Sequence, residues 1–433
     1  MTIPLRIGLA GLGTVGGGVG KQLEQERERL SAVAGRPIVV TAICARDRSK
    51  NRGFDVSGAK WFDDPIAMAR DGEIDVFVEL MGGADGSAKA AVEAALIAGR
   101  HVVTANKALV AHHGGELAAL AEKSGAALNY EAAVAGGIPI IKAIREGLVA
   151  NKISSVAGIL NGTCNYILTE MEGTGADFAD VLNDAQRLGY AEADPSFDVG
   201  GTDAAHKLAI LASLAFGTKV DFPSVFVEGI ETIGAEDIQF AAEFGYRIKL
   251  LGLSSLNGDG RVEQRVHPAL VKQTTALAAV SGVTNAVAVH GNYVGDVVLE
   301  GAGAGEGPTA SAVISDLVDI ARGIVYAPFG LPYSQLSEPR PASMSGHSGG
   351  YYLRVKAVDR AGSMAEITKA LADAGVSIER IVQRGDQGND GAWLPVVIIT
   401  HTTLEATMQK ALDLLSKHAD VVSTPVVIRI EGS

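Results

Sequence analysis

The sequence predicts an α/β protein with three folded regions, and three observations support this prediction. At 433 residues the chain is too long for one ordinary hydrophobic core, and its length suggests roughly two to three domains. Apolar segments of strand length alternate with helical segments up to residue 130, as in a doubly wound parallel sheet. A stretch rich in proline, serine and glycine, residues 328–350, then indicates a linker before the C-terminal part.

Composition and charge narrow the classes of function. The net charge of −13 argues against a nucleic-acid partner, because no basic stretch offsets the repulsion from phosphates. No apolar run reaches the roughly 18 residues that a membrane helix needs, and the N-terminus lacks the pattern of a signal peptide. We therefore expect a cytoplasmic protein without a membrane partner. Cys44 and Cys164 lie in apolar runs and are expected to be reduced core residues.

The N-terminal segment LRIGLAGLGTVGGGVG carries a dinucleotide-binding fingerprint. Gly11, Gly13 and Gly16 have the spacing G-x-G-x-x-G between a strand predicted at 5–10 and a helix beginning near Thr14. Glycine at these positions lets the backbone approach a pyrophosphate at the helix N-terminus. The context of strand, glycine loop and helix is what separates this motif from a chance match.

The alternation of strands and helices continues after the fingerprint. The predicted elements are strands at 38–45, 74–80, 101–105 and 126–130 and helices at 87–98 and 115–124. This order predicts a Rossmann-type nucleotide-binding domain over residues 1–135, in which ligands bind at the carboxyl ends of the strands. Lys107 follows the strand at 101–105 and is therefore expected near the working end of the cofactor; the alternative is a surface lysine at a helix start.

The residues after the second strand bear on the choice of coenzyme. An acid there usually binds the ribose 2′-hydroxyl of NAD, whereas an arginine accommodates the 2′-phosphate of NADP. The segment ARDRSK holds three cations, Arg46, Arg48 and Lys50, against one acid, Asp47. We predict NADP(H) as the preferred coenzyme with NAD(H) as the alternative, although an ordinary solvated loop would carry the same charges.

The segment GTDAAHKLAILA, residues 201–212, places two charges in a helix that is otherwise apolar. Asp203 and Lys207 fall on the same helical face as apolar residues. Burying an ion pair costs several kcal/mol in desolvation that the attraction often fails to recover, so the pair is a poor stability device and indicates a site. The alternative is an ordinary i,i+4 pair near a helix start.

An acidic stretch, GYAEADPSFDVGG, comes directly before this helix. Glu192, Asp194 and Asp198 would repel one another and Asp203 unless a cation, such as a substrate ammonium group, lay among them. A solvated acidic loop is the usual explanation of such a run. Its position before a buried charged helix favours a site.

The pattern of strands over residues 136–300 predicts an α+β domain with a mixed sheet. Its predicted strands are at 248–256, 261–267, 286–291 and 294–300. A second glycine loop, GAGAGEGP, then precedes a helix and is expected to return the chain to the first domain over about residues 301–327. Glu131 and the tight loop after it would suit a hard cation, although loop geometry alone explains the pattern nearly as well.

The C-terminal part, residues 351–433, has the predicted order βαββαβ. Its first helix is expected to open with a capping box, Ser363-x-x-Glu366, and to close near Gly375. The other elements are predicted as strands at 351–358, 376–383, 393–400 and 421–430 and a helix at 403–418. This order resembles an ACT domain, a module that often binds amino acids at paired interfaces.

Six motifs taken together resemble homoserine dehydrogenases. In chain order they are GLAGLGTVGGGV, TANKALV, EAAVAGGIPII, GILNGTCNYIL, GYAEADPSFDVGGTDAAHKLAILA and GAGAGEGPTASAV. The resemblance implies NAD(P)H-dependent reduction of L-aspartate 4-semialdehyde to L-homoserine, in the biosynthesis of threonine, methionine and isoleucine. It also implies a catalytic and dimerisation role for the middle domain. No segment resembling aspartate kinase precedes the first domain, so we expect a monofunctional enzyme.

The resemblance also implies roles for individual residues. Lys207 is expected to donate a proton to the aldehyde oxygen, with help from Lys107 and Asp203. The substrate-binding residues are expected to be Thr163, Tyr190, Glu192, Asp194, Asp198 and Asp203. The cofactor-binding residues are expected to be Gly11, Gly13, Thr14, Val15, Gly16, Arg46, Lys50, Thr104, Lys107, Gly189, Gly303 and Gly305. A structural sodium ion would be bound by Glu131 and the backbone of Val134, Gly136 and Ile138.

Further implications concern regulation and assembly. A homodimer or homotetramer is expected, with L-threonine as an allosteric ligand of the ACT domain; the alternative is a purely structural ACT module. Two other functions are alternatives to that of a homoserine dehydrogenase. Another ACT-tailed NAD(P)-dependent amino-acid dehydrogenase would call for an Arg/Glu/His catalytic set, and a non-catalytic sensor would have no use for Lys207.

Overall fold

The structure is a computed structural model that describes residues 2–384 and 393–432. Its strands are β1 (Leu5–Ala10), β2 (Ile38–Cys44), β3 (Lys60–Phe62), β4 (Val76–Glu79), β5 (His101–Thr104), β6 (Leu128–Asn129), β7 (Ile153–Ile159), β8 (Phe226–Val227), β9 (Tyr246–Leu256), β10 (Val262–Lys272), β11 (Thr284–Gly291), β12 (Gly295–Ala302), β13 (Ser348–Val358), β14 (Ile378–Gln383), β15 (Trp393–Thr400), β16 (Thr403–Leu404) and β17 (Val426–Glu431).

The helices alternate with these strands in the first domain and flank them elsewhere. They are α1 (Thr14–Gln25), α2 (Arg27–Ala34), α3 (Pro65–Asp71), α4 (Ser87–Ile97), α5 (Lys107–Ser124), α6 (Ile140–Lys142), α7 (Gly162–Thr174), α8 (Phe178–Arg187), α9 (Ser196–Val199), α10 (Thr202–Phe216), α11 (Ala235–Glu243), α12 (Ala276–Ala279), α13 (Glu306–Ala321), α14 (Ser363–Ala374) and α15 (Glu405–Leu415). None of the helices described is long and apolar enough to cross a membrane.

The first sheet has six parallel strands in the order β3-β2-β1-β4-β5-β6. Its central strands are short apolar runs, and β4 is buried at every position, as expected where helices cover both faces. The helix that follows the second glycine loop, α13, packs its apolar side on α1 in the same core. The prediction of a Rossmann-type domain is confirmed, and the carboxyl ends of β1, β4 and β5 meet at one edge.

The second sheet has eleven strands and joins the middle region to the C-terminal part. Along its main path the order is β12-β11-β7-β9-β10-β17-β13-β15-β14. Most neighbours are antiparallel, but β17 pairs in parallel with β10 through Ala269–Val271 and Arg429–Glu431. The predicted mixed sheet and βαββαβ order are confirmed, and the ACT strands continue the sheet of the middle region.

Several predicted element boundaries were wrong. The helix predicted at 115–124 begins at Lys107, because the Asn106 side chain accepts a hydrogen bond from the Leu109 N–H (3.1 Å) and caps it. The capping box was also wrong: α14 is preceded by Gly362 in the left-handed region, and Ser363 instead donates to Asp420 (3.1 Å).

The linker lies against the first domain and the middle region. At its start, the Pro328 carbonyl accepts a hydrogen bond from the Tyr130 hydroxyl (2.6 Å), and Phe329 is only 1% exposed. The Phe329 ring faces α5, where a Cβ on Gly114 would lie 2.8 Å from it. Further along, Pro341 forms a bridge to the first residue of β10. Contacts with the first domain and with β10 of the middle region therefore hold the linker in place.

Replacing Phe329 by alanine should lower the free energy of unfolding by about 3–5 kcal/mol, as for other fully buried phenylalanines. Leu331 is 42% exposed in the same segment, so Leu331→Ala should cost less than about 1 kcal/mol. Urea unfolding followed by circular dichroism measures both values. Equal losses in the two variants would show that Phe329 does not anchor the linker.

Candidate active site

Two adjoining cavities lie at the carboxyl edge of the first sheet. One has a volume of about 290 Å³ and the other about 700 Å³, and both are lined by Leu80, Met81 and Gly82 after β4. The smaller is also lined by Val15, Ala105, Asn106, Lys107, Ala132, Ala133, Ala135, Gly136, Lys207, Gly303, Ala304 and Thr309. The larger is also lined by Gly11, Leu12, Gly13, Cys44, Ala45, Arg46, Asp47, Lys50, Arg52, Asp63, Pro65 and Ser87.

At the smaller cavity, Asp203 bridges the two candidate lysines. Its Oδ2 lies 2.7 Å from Nζ of Lys207, and its Oδ1 lies 2.9 Å from Nζ of Lys107. Lys207 and Asp203 are one turn apart on α10, whereas Lys107 is the first residue of α5. The structure thus brings together all three residues that were predicted to be catalytic.

Further contacts fix the orientation of this triad. Nζ of Lys207 also donates to the carbonyl of Leu160 (2.7 Å). The Asn161 amide donates to Asp198 (2.8 Å) and to Asp203 (2.9 Å), while its carbonyl oxygen caps α7. Asn161 and Leu160 were not predicted as site residues. They follow directly on β7, so their approach to α10 depends on tertiary structure.

The two lysines have opposite pKa shifts although they share one aspartate. Burial lowers the pKa of Lys207 below its ordinary value, and the attraction to Asp203 does not offset this. Burial also acts to lower the pKa of Lys107, but Asp203 and the neighbouring acids outweigh it, and that pKa is raised. For Asp203, burial acts to raise the pKa, but the two lysines outweigh it and hold the carboxyl ionised.

The predicted substrate residues differ in how directly hydrogen bonds link them to the triad. Asp198 is linked to Asp203 through Asn161. The Thr163 hydroxyl donates to the carbonyl of Tyr190 (2.7 Å) and so holds the loop, while the Tyr190 side chain is 45% exposed.

Two further acids of the same loop lie outside the hydrogen-bond network of the triad in the described chain, although the charge of Glu192 helps to raise the pKa of Lys107. Asp194 accepts a hydrogen bond from the Ser196 N–H (3.1 Å) at the start of α9, and Glu192 is exposed. In the described chain, neither of these two cavities is lined by Thr163, Tyr190, Glu192 or Asp194.

The glycine loop fits a dinucleotide at the amino end of α1. Gly11 has φ +96°, and a Cβ there would lie 2.4 Å from the Leu80 carbonyl oxygen. A Cβ on Gly16 would lie 2.1 Å from the Gly11 carbonyl oxygen, whereas Gly13 faces open space. Side chains are therefore excluded where the backbone is crowded, and the cradle at Gly13 is free to receive a pyrophosphate.

Some of the predicted cofactor residues line a cavity, and the others support the loops around the cavities. Gly11, Gly13, Arg46 and Lys50 line the larger cavity, and Val15, Lys107 and Gly303 line the smaller one. Thr14 lines a third cavity, which also borders Gly13 and Lys50. Gly305 caps α13 with φ +117°. Thr104 is fully buried beneath the cavities, and Gly189 forms the turn after α8 with φ +79°; neither belongs to the lining of these cavities in the described chain.

The charged loop after β2 has two cations that its own acids do not neutralise. Arg48 pairs with Asp63 (2.7 and 2.8 Å), and Asp47 accepts hydrogen bonds from the backbone and hydroxyl of Ser49 (2.8 and 2.7 Å). Within the described residues, the side chains of Arg46 and Lys50 form neither an ion pair nor a hydrogen bond. A fourth cation that was not predicted, Arg52, donates to the Leu12 carbonyl (2.7 Å) and lines the same cavity.

Glu79 is a further residue that sequence reasoning missed. It ends β4, is fully buried, and accepts hydrogen bonds from the N–H groups of Met81 (2.7 Å) and Gly82 (3.1 Å). Its other oxygen accepts from the hydroxyl of Thr104 (2.6 Å), which itself accepts from the Asn106 N–H (3.0 Å). An acid at the end of an apolar strand was the available signal. Glu79 shapes the loops that line both cavities.

Glu131 lies behind the smaller cavity. Its oxygens accept hydrogen bonds from the N–H groups of Ile141 and Lys142 (both 2.9 Å). Burial and the nearby Asp316 raise the pKa of Glu131 to about 7, and burial raises the pKa of Asp316 to about 6. No cluster of three or more His, Cys, Asp or Glu that would hold a metal occurs in the described part of the chain.

Comparisons with known proteins agree with this geometry. The family models described as "Homoserine dehydrogenase, NAD binding domain", "Homoserine dehydrogenase" and "ACT domain" match residues 11–131, 139–318 and 351–420. A homoserine dehydrogenase of Neisseria gonorrhoeae is 46% identical over 437 residues, with 99% of each chain covered. The chain belongs to the homoserine dehydrogenase family.

Solved homoserine dehydrogenases share the fold. The structure from Thiobacillus denitrificans has a TM-score of 0.92 at 44% identity and covers 99% of this chain and 98% of that chain. A hyperthermophilic archaeal homoserine dehydrogenase in complex with NADPH has a TM-score of 0.63 at 26% identity, covering 74% and 99%. The enzyme is therefore an NAD(P)-dependent oxidoreductase with a C-terminal ACT domain. Membership of this family excludes the two alternatives, a different dehydrogenase and a non-catalytic sensor.

Glu79→Gln should weaken NADPH binding because it removes the charge that holds the loop after β4. Hydrogen bonds to a charged group contribute about 1.5–3 kcal/mol, so we expect a rise in Kd of roughly tenfold. Fluorescence titration with NADPH measures it. Glu73→Gln, an exposed change before the amino end of the same strand, is the control. A Kd for Glu79→Gln equal to that of the control would exclude this role.

Proposed function

We propose that this enzyme reduces L-aspartate 4-semialdehyde to L-homoserine with NADPH, and that Lys207 donates the proton. The observation that carries the proposal is the triad of Lys207, Asp203 and Lys107 at the smaller cavity, which adjoins the glycine loop. Two cations at one buried carboxylate suit a reaction that builds negative charge on an oxygen. The same two cations would not favour a reaction at an apolar group.

The chemistry assigned to each side chain follows from its environment. Bound NADPH supplies a hydride to the carbonyl carbon. As the C=O double bond becomes a single bond, Nζ of Lys207 donates a proton to the oxygen and completes the alcohol. Lys107 retains its proton and stabilises the charge that develops on the oxygen. Asp203 holds both ammonium groups in place.

The lowered pKa of Lys207 makes it the better proton donor of the two lysines. A group whose pKa lies closer to the working pH transfers its proton more readily in either direction. Lys107, with a raised pKa, remains charged throughout. Environments that drive two pKa values apart are a general guide to which group acts as the acid.

We propose that the acidic loop binds the amino group of the substrate. Asp198 and Asp203 are already linked through Asn161, and Glu192, Asp194 and Tyr190 would join them when the exposed loop closes on the substrate, with Thr163 holding its backbone. Carboxylates attract the ammonium group of an amino acid, and the aldehyde end would then reach Lys207.

For the coenzyme we propose NADPH, with NADH as a second substrate. Arg46 and Lys50 line the larger cavity, where the adenosine end would lie, and a 2′-phosphate would neutralise them. The archaeal homoserine dehydrogenase bound to NADPH supports the same choice. The glycine cradle at Gly13 and the lining residues Gly11, Thr14, Val15, Gly303 and Gly305 would hold the remainder of the dinucleotide, with Gly16 keeping the loop close to α1. Thr104 would support the cofactor site from beneath through its hydrogen bonds to Glu79 and Asn106. Gly189 would contribute through the loop that it begins.

We also propose a structural sodium ion beside Glu131. Ala135 and Gly136 are consecutive residues with positive φ. In the described chain, no other non-glycine residue than Ala135 has a positive φ. Within the described residues, the carbonyls of Val134 and Gly136 accept no hydrogen bond, while that of Ile138 accepts one from the Ile140 N–H (2.8 Å). Free carbonyls beside a buried acid suit a hard cation.

The remaining proposals concern organisation and setting. We propose a nucleotide-binding domain over 1–135 and 301–327, a substrate and dimerisation domain over 136–300, a linker over 328–350 and an ACT domain over 351–433. Shared packing of α1 and α13 supports the return of the chain to the first domain. We further propose L-threonine as a feedback inhibitor, assembly as a homodimer or homotetramer, and a cytoplasmic role in threonine, methionine and isoleucine biosynthesis.

Lys207→Met should reduce kcat for NADPH-dependent reduction of L-aspartate 4-semialdehyde by roughly 10²- to 10⁴-fold, the usual effect of losing a general acid. The rate is measured as loss of NADPH absorbance. Lys249→Met is the matched control, because Lys249 is another buried lysine that contacts Asn165 and the Val280 carbonyl instead. A nearly normal rate in Lys207→Met would exclude the mechanism, and an inactive wild type would exclude the reaction.

The same mechanism fixes the direction of the pH dependence. Lys207 donates its proton only while it is protonated, so the reductive rate should be retained below its pKa and fall as pH rises through it. Because burial lowers the pKa, the fall should come below the ordinary lysine value of 10.5. Lys207→Arg should be slow and lack this alkaline limb, since a guanidinium does not titrate in that range.

The double variant Arg46→Ala, Lys50→Ala should raise KM for NADPH and leave KM for NADH nearly unchanged. Loss of two cations from a phosphate site should change the ratio of the two kcat/KM values by roughly tenfold or more. Arg48→Ala is the control, because Arg48 is paired with Asp63. If KM rises equally for both coenzymes, these residues do not select the 2′-phosphate.

A further inference from the structure

One arginine of the C-terminal part reaches into the middle region. Arg429 lies on β17, is only 3% exposed, and donates hydrogen bonds to Glu228 (2.5 and 3.4 Å) and Glu405 (2.6 and 2.9 Å). Its guanidinium also lies over the ring of Phe226, 4.9 Å from the centroid. Glu405 begins α15 of the ACT region, whereas Phe226 and Glu228 belong to the middle region. Arg429 therefore joins the two.

The segment held by Arg429, Phe226–Ile230, continues to the turn between α9 and α10. Glu228 donates its N–H to the Val266 carbonyl of β10 (2.8 Å), and Ile230 donates its N–H to the Val199 carbonyl (2.9 Å). At Gly229 the contact is close, since a Cβ there would lie 2.4 Å from the Val199 carbonyl oxygen. The segment thus has one side on the sheet and the other on this turn.

The turn itself, Val199–Gly201, carries the site residues on its two flanks. Asp198 comes before it, and Asp203 is in the first turn of the helix that follows. Gly201 has φ +86°, and a Cβ there would lie 3.1 Å from the side chain of Val227. A shift of the Phe226–Ile230 segment would therefore move the turn and, with it, both carboxylates.

We propose that Arg429 is a positioning residue of the active site. It holds Glu228, and through the Phe226–Ile230 segment it fixes the turn from which α10 begins. Docking of the ACT region then sets the affinity for the aldehyde substrate, because Asp198 and Asp203 lie at that turn. This inference depends on the proposed function only for the identity of the substrate.

A second ion pair between the same two regions provides a matched control. Arg354 of β13 forms a bidentate pair with Asp237 of α11 (2.6 and 2.8 Å), and both side chains are buried. The Tyr352 hydroxyl donates to the same carboxylate (2.8 Å). In the described chain α11 has its main contacts with α7 and β9 rather than with α9 or α10, which flank the turn at Val199–Gly201. Loss of this pair weakens docking without releasing the turn.

The experiment compares Glu228→Gln, Arg429→Met, Arg429→Lys and Asp237→Asn in the full-length enzyme. In Glu228→Gln we expect KM for L-aspartate 4-semialdehyde to rise by roughly tenfold, within the range of changes transmitted through packed contacts, with KM for NADPH unchanged. Arg429→Lys keeps the charge and should recover part of the affinity that Arg429→Met loses. Asp237→Asn should lower the melting temperature but leave both KM values unchanged. An equal rise of KM in Asp237→Asn and Glu228→Gln, or no rise in Glu228→Gln, overturns the proposal.

Amide hydrogen exchange tests the same inference without substrate. The amides of residues 199–203 should exchange faster in Glu228→Gln than in the wild type, and at the wild-type rate in Asp237→Asn. If the wild type fails to reduce the aldehyde, the proposed function falls while the exchange rates still decide the role of Arg429. Unchanged exchange at these residues in Glu228→Gln excludes positioning by this route.

Discussion

One carboxylate, that of Asp203, determines how the candidate active site is assembled. Its two oxygens contact one lysine from α10 and one from α5, at 2.7 and 2.9 Å. Two neighbouring ammonium groups would repel each other without it, and a buried aspartate without a cation would be costly. Each of the three charges is therefore stable only with the other two. The triad thereby joins a helix of the nucleotide-binding domain to a helix of the middle domain.

The same carboxylate contacts two lysines whose pKa values shift in opposite directions. Lys207 is enclosed and shares its ammonium group with the Leu160 carbonyl, whereas Lys107 begins a helix and is a third exposed on its side chain. Burial is thus the stronger influence on the first lysine, and the surrounding acids are stronger for the second. The difference in enclosure and the acids around Lys107 together separate the two pKa values and indicate which lysine gives up a proton more readily.

Local patterns predicted the parts of the structure that local interactions decide. Strand and helix periodicity and the spacing of Gly11, Gly13 and Gly16 were sufficient for the parallel sheet and its cofactor loop, because each depends on neighbouring residues. The i,i+4 spacing likewise predicted the Asp203–Lys207 pair. The capping box at Ser363 was wrong because Asp420, 57 residues further along the chain, binds that hydroxyl instead. Contacts of this kind leave no trace in a local pattern.

The site could be predicted less completely than the fold. The contact of Lys107 with Asp203, the amide of Asn161 between two acids, and Glu79 beneath the cavities all join segments that are distant in sequence. Thr104 and Gly189 were expected from resemblance alone, and neither reaches a cavity wall in the described residues. Resemblance transfers a residue's identity, but its distance from the reacting atoms depends on how the loops are folded.

The continuous second sheet explains why ion pairs are retained between the ACT region and the rest. The parallel pairing of β10 with β17 covers only Ala269–Val271 and Arg429–Glu431, which is a short stretch to specify a register. A slip of one residue would turn Arg429 and Glu431 to the opposite face and leave several buried charges without partners. Buried ion pairs add little net stability over apolar packing, so their value here lies in excluding the wrong registers. Arg429, which lies at this pairing and contacts Glu228, is thus well placed to transmit a change from one region to the other.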